Sequence, residues 1–183
     1  VPLPPLSEQK QISDYLDRKT KQIDDLIKKT ERKIELLKEQ RSALINQCVT
    51  KGLNTSVEMK DSGVKWVEKI PKGWEEKPLK YIAKIILGKM LTPQDNGGMV
   101  LKRYLRSQNV QNGFIDTEDV NEMWFSQSDL KSLRVKLGDL LLSEGGEVGR
   151  TAIWENQIEE CYIQNSINKV SFSDSHCQKY FFY

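Results

Sequence analysis

Residues 7–51 constrain the fold most, because this stretch contains no glycine or proline that would break a helix. Apolar residues recur in it with heptad spacing, interrupted only by Thr20, Thr30 and Arg41. The pattern predicts a coiled-coil helix roughly 65 Å long, which cannot bury its apolar seam without a second helix. The predicted helix-pairing residues are Leu16, Ile23, Ile27, Ile34, Leu37 and Leu44.

Start and stop signals flank this stretch. Ser7 follows the proline-rich residues 1–6 and is the predicted N-cap, with Glu8 in the first turn, where a negative charge suits the helix dipole. Gly52 is the predicted stop. Acidic residues repeatedly precede basic residues by four positions, as at Asp24 and Lys28, which supports an exposed helix.

Composition excludes several protein classes. The 183 residues include 28 Lys and Arg and 26 Asp and Glu, and a net charge of +2 is too small to require a nucleic-acid partner. A DNA-binding chain of this composition would depend on local basic patches. Three widely spaced cysteines are typical of a reducing compartment. Because neither a membrane span nor a signal peptide is evident, we expect a cytoplasmic protein.

The remaining sequence predicts a linker and then a domain. Residues 52–75 are polar and turn-rich, and Trp66 and Trp74 are expected to anchor this linker onto the downstream domain. Residues 76–183 alternate short apolar runs with turn signals such as Asn112-Gly113. They predict a mixed α/β domain of mostly short strands, which the apolar residues 180–183 indicate is incomplete. The predicted class of the chain is therefore α+β.

Catalysis and metal binding receive little support. His176 is the only histidine, so a histidine-based triad has no evident partner. Cys161, His176 and Cys177 fit no zinc spacing, and we predict no catalytic residue and no metal ligand. The glycine-rich residues 145–149 match neither a P-loop nor a dinucleotide fingerprint. They form either a tight turn between strands or a loop that brings backbone amides and Arg150 to a phosphate backbone.

Polar side chains concentrate at the ends of predicted strands. Arginine, glutamine and asparagine can make bidentate contacts with base edges, so these positions favour a recognition surface near the glycine-rich turn. The three clusters are Lys89, Gln94 and Asn96; Arg103, Arg106, Gln108 and Asn109; and Gln164, Asn165, Ser166 and Asn168.

Several motifs succeed one another in a fixed order. They occupy residues 2–9, 23–27, 49–54, 60–66, 70–74, 104–110, 138–143, 146–150 and 164–166. In this order they resemble the specificity subunit of Type I restriction–modification systems, over essentially the whole chain.

The resemblance implies a division of labour. Such subunits have two target recognition domains, each reading half of a bipartite double-stranded DNA site, and two conserved helices that pair antiparallel and set the spacing. They are not catalytic and bind no cofactor themselves. They dock methyltransferase subunits, which use S-adenosylmethionine, and restriction subunits, for which ATP and Mg are expected. The partner for the helix here would come from the other repeat or from a second copy.

Mapped onto this chain, the resemblance assigns residues 1–6 to the end of a preceding recognition domain and residues 7–51 to the spacer helix. Residues 52–75 lead into an incomplete recognition domain at residues 76–183. The helix surface, Trp66 and Trp74 are candidates for docking the methyltransferase. Alternatively, the chain is a coiled-coil assembly module whose recognition domain does not bind DNA by itself. The expected DNA-facing residues are Lys89, Arg103, Arg106, Gln108, Asn109, Arg150, Gln164 and Asn165.

Overall fold

The computed structural model describes residues 3–54, 56–173 and 176–183. The chain divides into two compact units, Val1–Lys72 and Gly73–Tyr183. The first contains a long helix and a β-hairpin, and the second contains short strands and short helices, so the predicted α+β class is confirmed. Part of the segment assigned to a preceding domain, Val1 and Pro2, lies outside the described residues.

Helix α1 spans Leu6–Lys51. The N-cap prediction for Ser7 is wrong, because Pro5 occupies that position and its carbonyl accepts the backbone N–H groups of Glu8 and Gln9 at 3.0 Å each. Proline has a fixed φ and no N–H, so it can begin a helix without losing a donor. The predicted stop at Gly52 is confirmed: its φ is 76° and its N–H donates to the carbonyl of Cys48.

The apolar seam of α1 is exposed in the part of the chain that the structure describes. No residue of α1, all of which the structure describes, is buried. The six predicted pairing residues are 48–60% exposed. Thr20 and Thr30 donate their hydroxyls to the carbonyls of Leu16 and Leu26, one turn earlier, so their polar groups are satisfied within the helix.

A β-hairpin occupies much of the predicted linker. Strand β1 (Met59–Val64) pairs antiparallel with strand β2 (Val67–Pro71), and the register shifts between Asp61 and Val64, at a bulge next to Gly63. The sequence did not predict this hairpin, because the two residues at its tip, Lys65 and Trp66, are not the Asn, Asp or Gly that favour such turns.

The second unit contains two sheets. Its elements are β3 (Ala83–Leu87), β4 (Val100–Leu105), β5 (Asn121–Phe125), α2 (Gln127–Leu133), β6 (Leu140–Ser143), β7 (Thr151–Ile153), β8 (Tyr162–Ile163), β9 (Ile167–Phe172) and α3 (Gln178–Phe182), with 3₁₀ turns at Leu79–Tyr81 and Ser107–Asn109. The four-stranded sheet is antiparallel and has the order β3-β9-β6-β7. The three-stranded sheet has the order β5-β4-β8, and its strand β4 is antiparallel to β5 and parallel to β8.

Both sheets contribute to one hydrophobic core. The rings of Phe125 and Tyr162 lie 4.8 Å apart between centroids, and Trp154 is completely enclosed. Burying a side chain of this size contributes roughly 1.5–3 kcal/mol, so this core holds the strand ends in place. Its largest members are Tyr104, Leu105, Val110, Met123, Phe125, Leu141, Trp154, Tyr162, Ile163 and Ile167.

Two polar anchors fix helix α2. At its start, the Ser126 hydroxyl accepts the Asp129 N–H and the Asp129 carboxylate accepts the Ser126 N–H, which forms a capping box. At its end, the buried Lys169 ammonium donates to the carbonyls of Ser132 and Arg134 at 2.8 and 2.6 Å. Burial lowers the pKa of Lys169. Strand β9 is thereby tied to the helix.

Candidate nucleic-acid interface

Three loops of the second unit meet along one edge, which we call the loop edge: residues 107–109, 144–150 and 164–166. The Ser107 N–H donates to the Ser166 hydroxyl at 3.0 Å, and the Glu144 N–H donates to the Ser166 carbonyl at 2.8 Å. The Asn165 N–H donates to the Lys89 carbonyl at 2.9 Å, which joins the loop after β3 to this edge. The structure therefore brings together parts of all three predicted polar clusters.

The glycine-rich segment is a tight connection between β6 and β7. Its Gly146 and Gly149 have φ of 67° and 91°, and the Gly149 N–H donates to the Ser143 carbonyl at 2.9 Å. A Cβ on Gly145 would lie 3.2 Å from the Cβ of Ser166 and 3.3 Å from the hydroxyl of Ser107. This close approach supports the first of the two interpretations, a turn that packs neighbouring loops together.

Lys89 is engaged inside the unit. Its ammonium donates to the Asp129 carboxylate at 2.7 Å and to the Trp124 carbonyl at 3.3 Å, and its side chain is only 19% exposed. Burial would raise the pKa of Asp129, but hydrogen bonds from Lys89 and Ser126 outweigh it and the pKa is lowered. The ion pair joins the loop after β3 to the start of α2.

Asn109 is a framework residue of the loop edge, with 2% of its surface exposed. Its amide oxygen accepts the Arg106 N–H at 2.8 Å, and its amide nitrogen donates to the carbonyls of Asp116 and Asp119 at 3.0 and 2.9 Å. These three bonds use the side chain to fold residues 106–119 and leave it turned away from solvent.

Arg106 and Arg150 brace the same loops. One terminal nitrogen of Arg106 donates to the Asp119 carboxylate at 2.8 Å, and Arg150 donates to the Ser107 carbonyl at 3.0 Å and to the Gln111 amide at 3.2 Å. The Nε atoms of both arginines are buried and make no hydrogen bond to any described residue. Their guanidinium groups are largely committed within the protein.

The remaining predicted residues are more accessible. Gln108 and Asn165 are exposed at the loop edge; Gln108 donates to the Asp119 carboxylate at 3.0 Å. The half-buried Gln164 accepts the Ser166 hydroxyl at 2.9 Å. Gln94 and Asn96 are also exposed, in the loop after β3. Exposed amides, rather than free cations, therefore predominate among these positions.

Arg103 lies within β4, where it is exposed and lines a cavity of about 510 Å³. Acidic side chains, Glu122, Glu159 and Glu160, line the same cavity. Hydrogen bonds from Lys102 and Tyr162 lower the pKa of Glu160, so this carboxylate stays charged. The surroundings of Arg103 thus combine both signs of charge and do not form a purely basic patch.

The two units differ in charge. Among residues 1–72 there are 15 Lys and Arg against 11 Asp and Glu, a net charge of +4; among residues 73–183 there are 13 against 15, a net charge of −2. Phosphate contacts come chiefly from Lys and Arg, whereas amide side chains can read base edges. The loop edge therefore offers amide groups that could contact base edges, but little net positive charge that would attract DNA.

Sequence reasoning missed two residues that organise the loop edge, Asp119 and Ser107. Asp119 accepts hydrogen bonds from Arg106 and Gln108, and the Ser107 N–H donates to Ser166, which belongs to a predicted cluster. Single aspartates and serines have no distinctive spacing, so no sequence pattern marked Asp119 or Ser107. Only the folded arrangement shows that they hold the predicted residues in place.

Membrane and metal features are absent from the part of the chain that the structure describes. No helix there is both long enough and apolar enough to cross a membrane, and no three His, Cys, Asp or Glu side chains are grouped so that they could share a metal ion. Burial raises the pKa of Cys161 to about 12, which keeps this thiol protonated at neutral pH.

Two curated relatives are specificity subunits. Over its whole length the chain is 28% identical, across 195 residues, to the Type I restriction enzyme MjaVIII specificity subunit of Methanocaldococcus jannaschii, of which it covers 42%. It is also 28% identical across 146 residues to the Type I restriction enzyme EcoKI specificity subunit of Escherichia coli, where the match covers 78% of this chain and 29% of that protein. The chain thus spans less than half the length of these relatives. No family model matches it.

Two solved structures share the fold. The HsdS subunit from Thermoanaerobacter tengcongensis matches with a TM-score of 0.51, and a structure of the type I R-M system, described for its complex assembly and conformational transition, matches with 0.55. Each match is 16% identical and covers all of this chain and 42% of the other. The resemblance predicted from the motifs is confirmed: over its full length, this chain is similar to part of the specificity subunits of Type I restriction enzymes.

Proposed function

We propose that this chain carries one spacer helix and one DNA-recognition domain of a Type I restriction–modification complex, without catalytic activity of its own. The observation that supports this proposal most is the similarity to a specificity subunit across the entire chain, so that the helix, the hairpin and the second unit are all included.

The loop edge is the part of the second unit that we propose reads bases. Gln108 and Asn165 are exposed there, whereas Asn109, Arg106 and Arg150 hold the loops by bonds within the protein. A side chain that contacts bases loses little conformational entropy on binding when its loop is already fixed by internal hydrogen bonds. Such a loop favours selectivity between DNA sequences. The framework residues therefore act by positioning and the exposed amides by contacting base edges.

The electrostatic attraction for DNA must then come largely from outside the second unit. With a net charge of −2, this unit alone gains little from counterion release at phosphates. The first unit, with a net charge of +4, and the partner subunits would supply that attraction. This also favours a second candidate function, an assembly module whose recognition domain does not bind DNA unless the complex is complete.

We propose that the seam of α1 pairs with a helix of similar pattern, in the antiparallel direction. Full antiparallel overlap of two such helices places Thr20 opposite Leu37, Ile27 opposite Thr30 and Arg41 opposite Leu16, so each polar interruption meets an apolar side chain. Parallel pairing of identical helices in register would instead place Arg41 against Arg41, which is unfavourable because two like charges would share one layer.

DNA binding separates the two candidate functions. We expect the chain assembled with its methyltransferase subunits to bind a specific bipartite duplex in a strongly salt-dependent manner and to methylate that site in preference to random DNA. The isolated chain should bind far more weakly. Equal methylation of random and specific DNA by the complex would contradict the recognition role, whereas stable assembly without any DNA binding would favour the assembly module.

A further inference from the structure

The tip of the hairpin exposes a tryptophan that the fold does not require. Trp66 is 85% exposed, while Trp154 is buried and Trp74 and Trp124 are partly covered. Leaving an indole in water forgoes the favourable transfer of a large apolar surface, and a polar residue would serve the turn better. An exposed tryptophan at a turn is therefore a candidate anchor for a partner.

The hairpin holds this tryptophan on a stiff support. The buried Ser62 hydroxyl accepts the Val64 N–H at 2.9 Å and donates to the Val67 carbonyl, which ties together the two residues that flank the tip. The Asp61 carboxylate accepts the Gly63 N–H at 2.8 Å at the bulge. A side chain presented on such a braced turn is already positioned, so binding costs it little entropy.

A concave site lies beside the tryptophan, between the hairpin and the last turns of α1. Its volume is about 220 Å³, below the ~300 Å³ at which small-molecule pockets begin, so it suits a single inserted side chain better than a cofactor. Basic side chains, Lys51 and Lys69, line it together with one acid, Glu68. The residues that line it are Asn46, Thr50, Lys51, Trp66, Val67, Glu68 and Lys69.

We propose that Trp66 and this cavity form a docking site for a protein subunit that packs one apolar side chain against the exposed indole and places a carboxylate in the cavity. Lys51 and Lys69 complement the carboxylate, and the indole buries the apolar group. Duplex DNA offers no protruding apolar side chain to pack against the indole, so a protein partner fits better. The inference rests on the proposed function, because the partner is taken to be the modification subunit of the same complex.

The test compares binding of the modification subunit to the full chain and to three variants, by titration in solution. Trp66→Ala should weaken binding about tenfold or more, because truncated tryptophan anchors typically lose that much. Trp66→Phe should retain most of the affinity, and Tyr81→Ala, an exposed aromatic residue in the second unit, should change nothing. Circular dichroism of each variant checks that the helix is intact.

The outcomes discriminate between the inference and the function on which it rests. Equal affinity of Trp66→Ala and the unchanged chain for the modification subunit would overturn the docking site while leaving the proposed function intact. A loss of DNA affinity in Trp66→Ala, with subunit binding unchanged, would also overturn it and assign Trp66 to nucleic-acid contact. An unchanged chain that binds no modification subunit would contradict both proposals.

Discussion

The two units of this chain differ in how far they bury their apolar residues. Gly73–Tyr183 encloses Trp154, Phe125 and Tyr162 in a core of its own, whereas the seam of α1 stays about half exposed along its length. The second unit has a net charge of −2, and the first unit, which contains α1, has a net charge of +4. The contrast indicates that the second unit is built to hold loops in fixed positions and the first to associate with other molecules.

The largest expected effect comes from the open seam. Replacing Ile27 and Ile34 together by asparagine should abolish helix pairing at a cost on the order of 4 kcal/mol, because two buried isoleucines would be lost from the interface. The second unit should unfold as before, since it does not depend on the seam. Mass measurement of the assembled complex checks the loss of pairing, and Leu36→Asn, on the outer face of α1, is the control.

Cross-linking extends this prediction to the direction of pairing. Full antiparallel overlap aligns Cys48 with position 9, so Gln9→Cys should form a disulfide with Cys48 of the partner helix if that helix belongs to a second copy. The exposed Cys177 is replaced by serine throughout. A predominant link between two copies of Cys48 would contradict the antiparallel arrangement.

The next largest effect comes from a substitution at Gly88, which tests how closely the second unit is packed. A Cβ on Gly88 would overlap the Gln164 carbonyl oxygen, a backbone atom that cannot simply move aside. Gly88→Ala should therefore destabilise the unit by about 3 kcal/mol, measured by urea unfolding. Gly73→Ala, whose Cβ would have no neighbour within 4 Å, should cost less than about 0.5 kcal/mol. Equal effects would show that the predicted close packing is absent.

The neighbouring residues Gln108 and Asn109 distinguish a side chain that contacts DNA bases from one that stabilises the fold. Asn109→Ala removes three hydrogen bonds and should cost about 2 kcal/mol of folding stability, because the Arg106 N–H and the Asp116 carbonyl lose the bond that Asn109 makes to them, while the Asp119 carbonyl keeps only Arg106. Gln108→Ala, at an exposed position, should leave stability within about 0.5 kcal/mol and instead alter the preferred methylation site. A stability loss at Gln108 with no change in site preference would remove this distinction.

The smallest effect concerns the ion pair between Lys89 and Asp129. Because the folded state lowers the pKa of Asp129, the group contributes stability above its unfolded pKa of ~3.9, and that contribution disappears as pH falls through the folded pKa. Asp129→Asn should therefore cost about 1 kcal/mol at neutral pH and converge with the unchanged chain in acid. Unfolding free energies measured across this pH range test the sign, and a constant difference would contradict it.

The sequence predicted some features well because they depend on local chemistry. Heptad spacing and Gly52 defined the long helix and its end, while Pro5 displaced the predicted cap at Ser7. The hairpin was missed because its tip lacks turn-favouring residues. Gln108 and Asn109 were predicted together as DNA-facing, yet one is exposed and the other buried. Tertiary packing determines which of the two side chains is buried, and no local sequence pattern predicts that packing.

We propose that the second unit determines one DNA half-site while the first unit mediates assembly. The most direct measurement exchanges residues 73–183 for the corresponding segment of a related specificity subunit, assembles the complex and maps the methylated DNA positions by sequencing. We expect one half of the bipartite site to change with the exchanged segment, with the other half retained. An unchanged site in a fully assembled, active complex would contradict the claim.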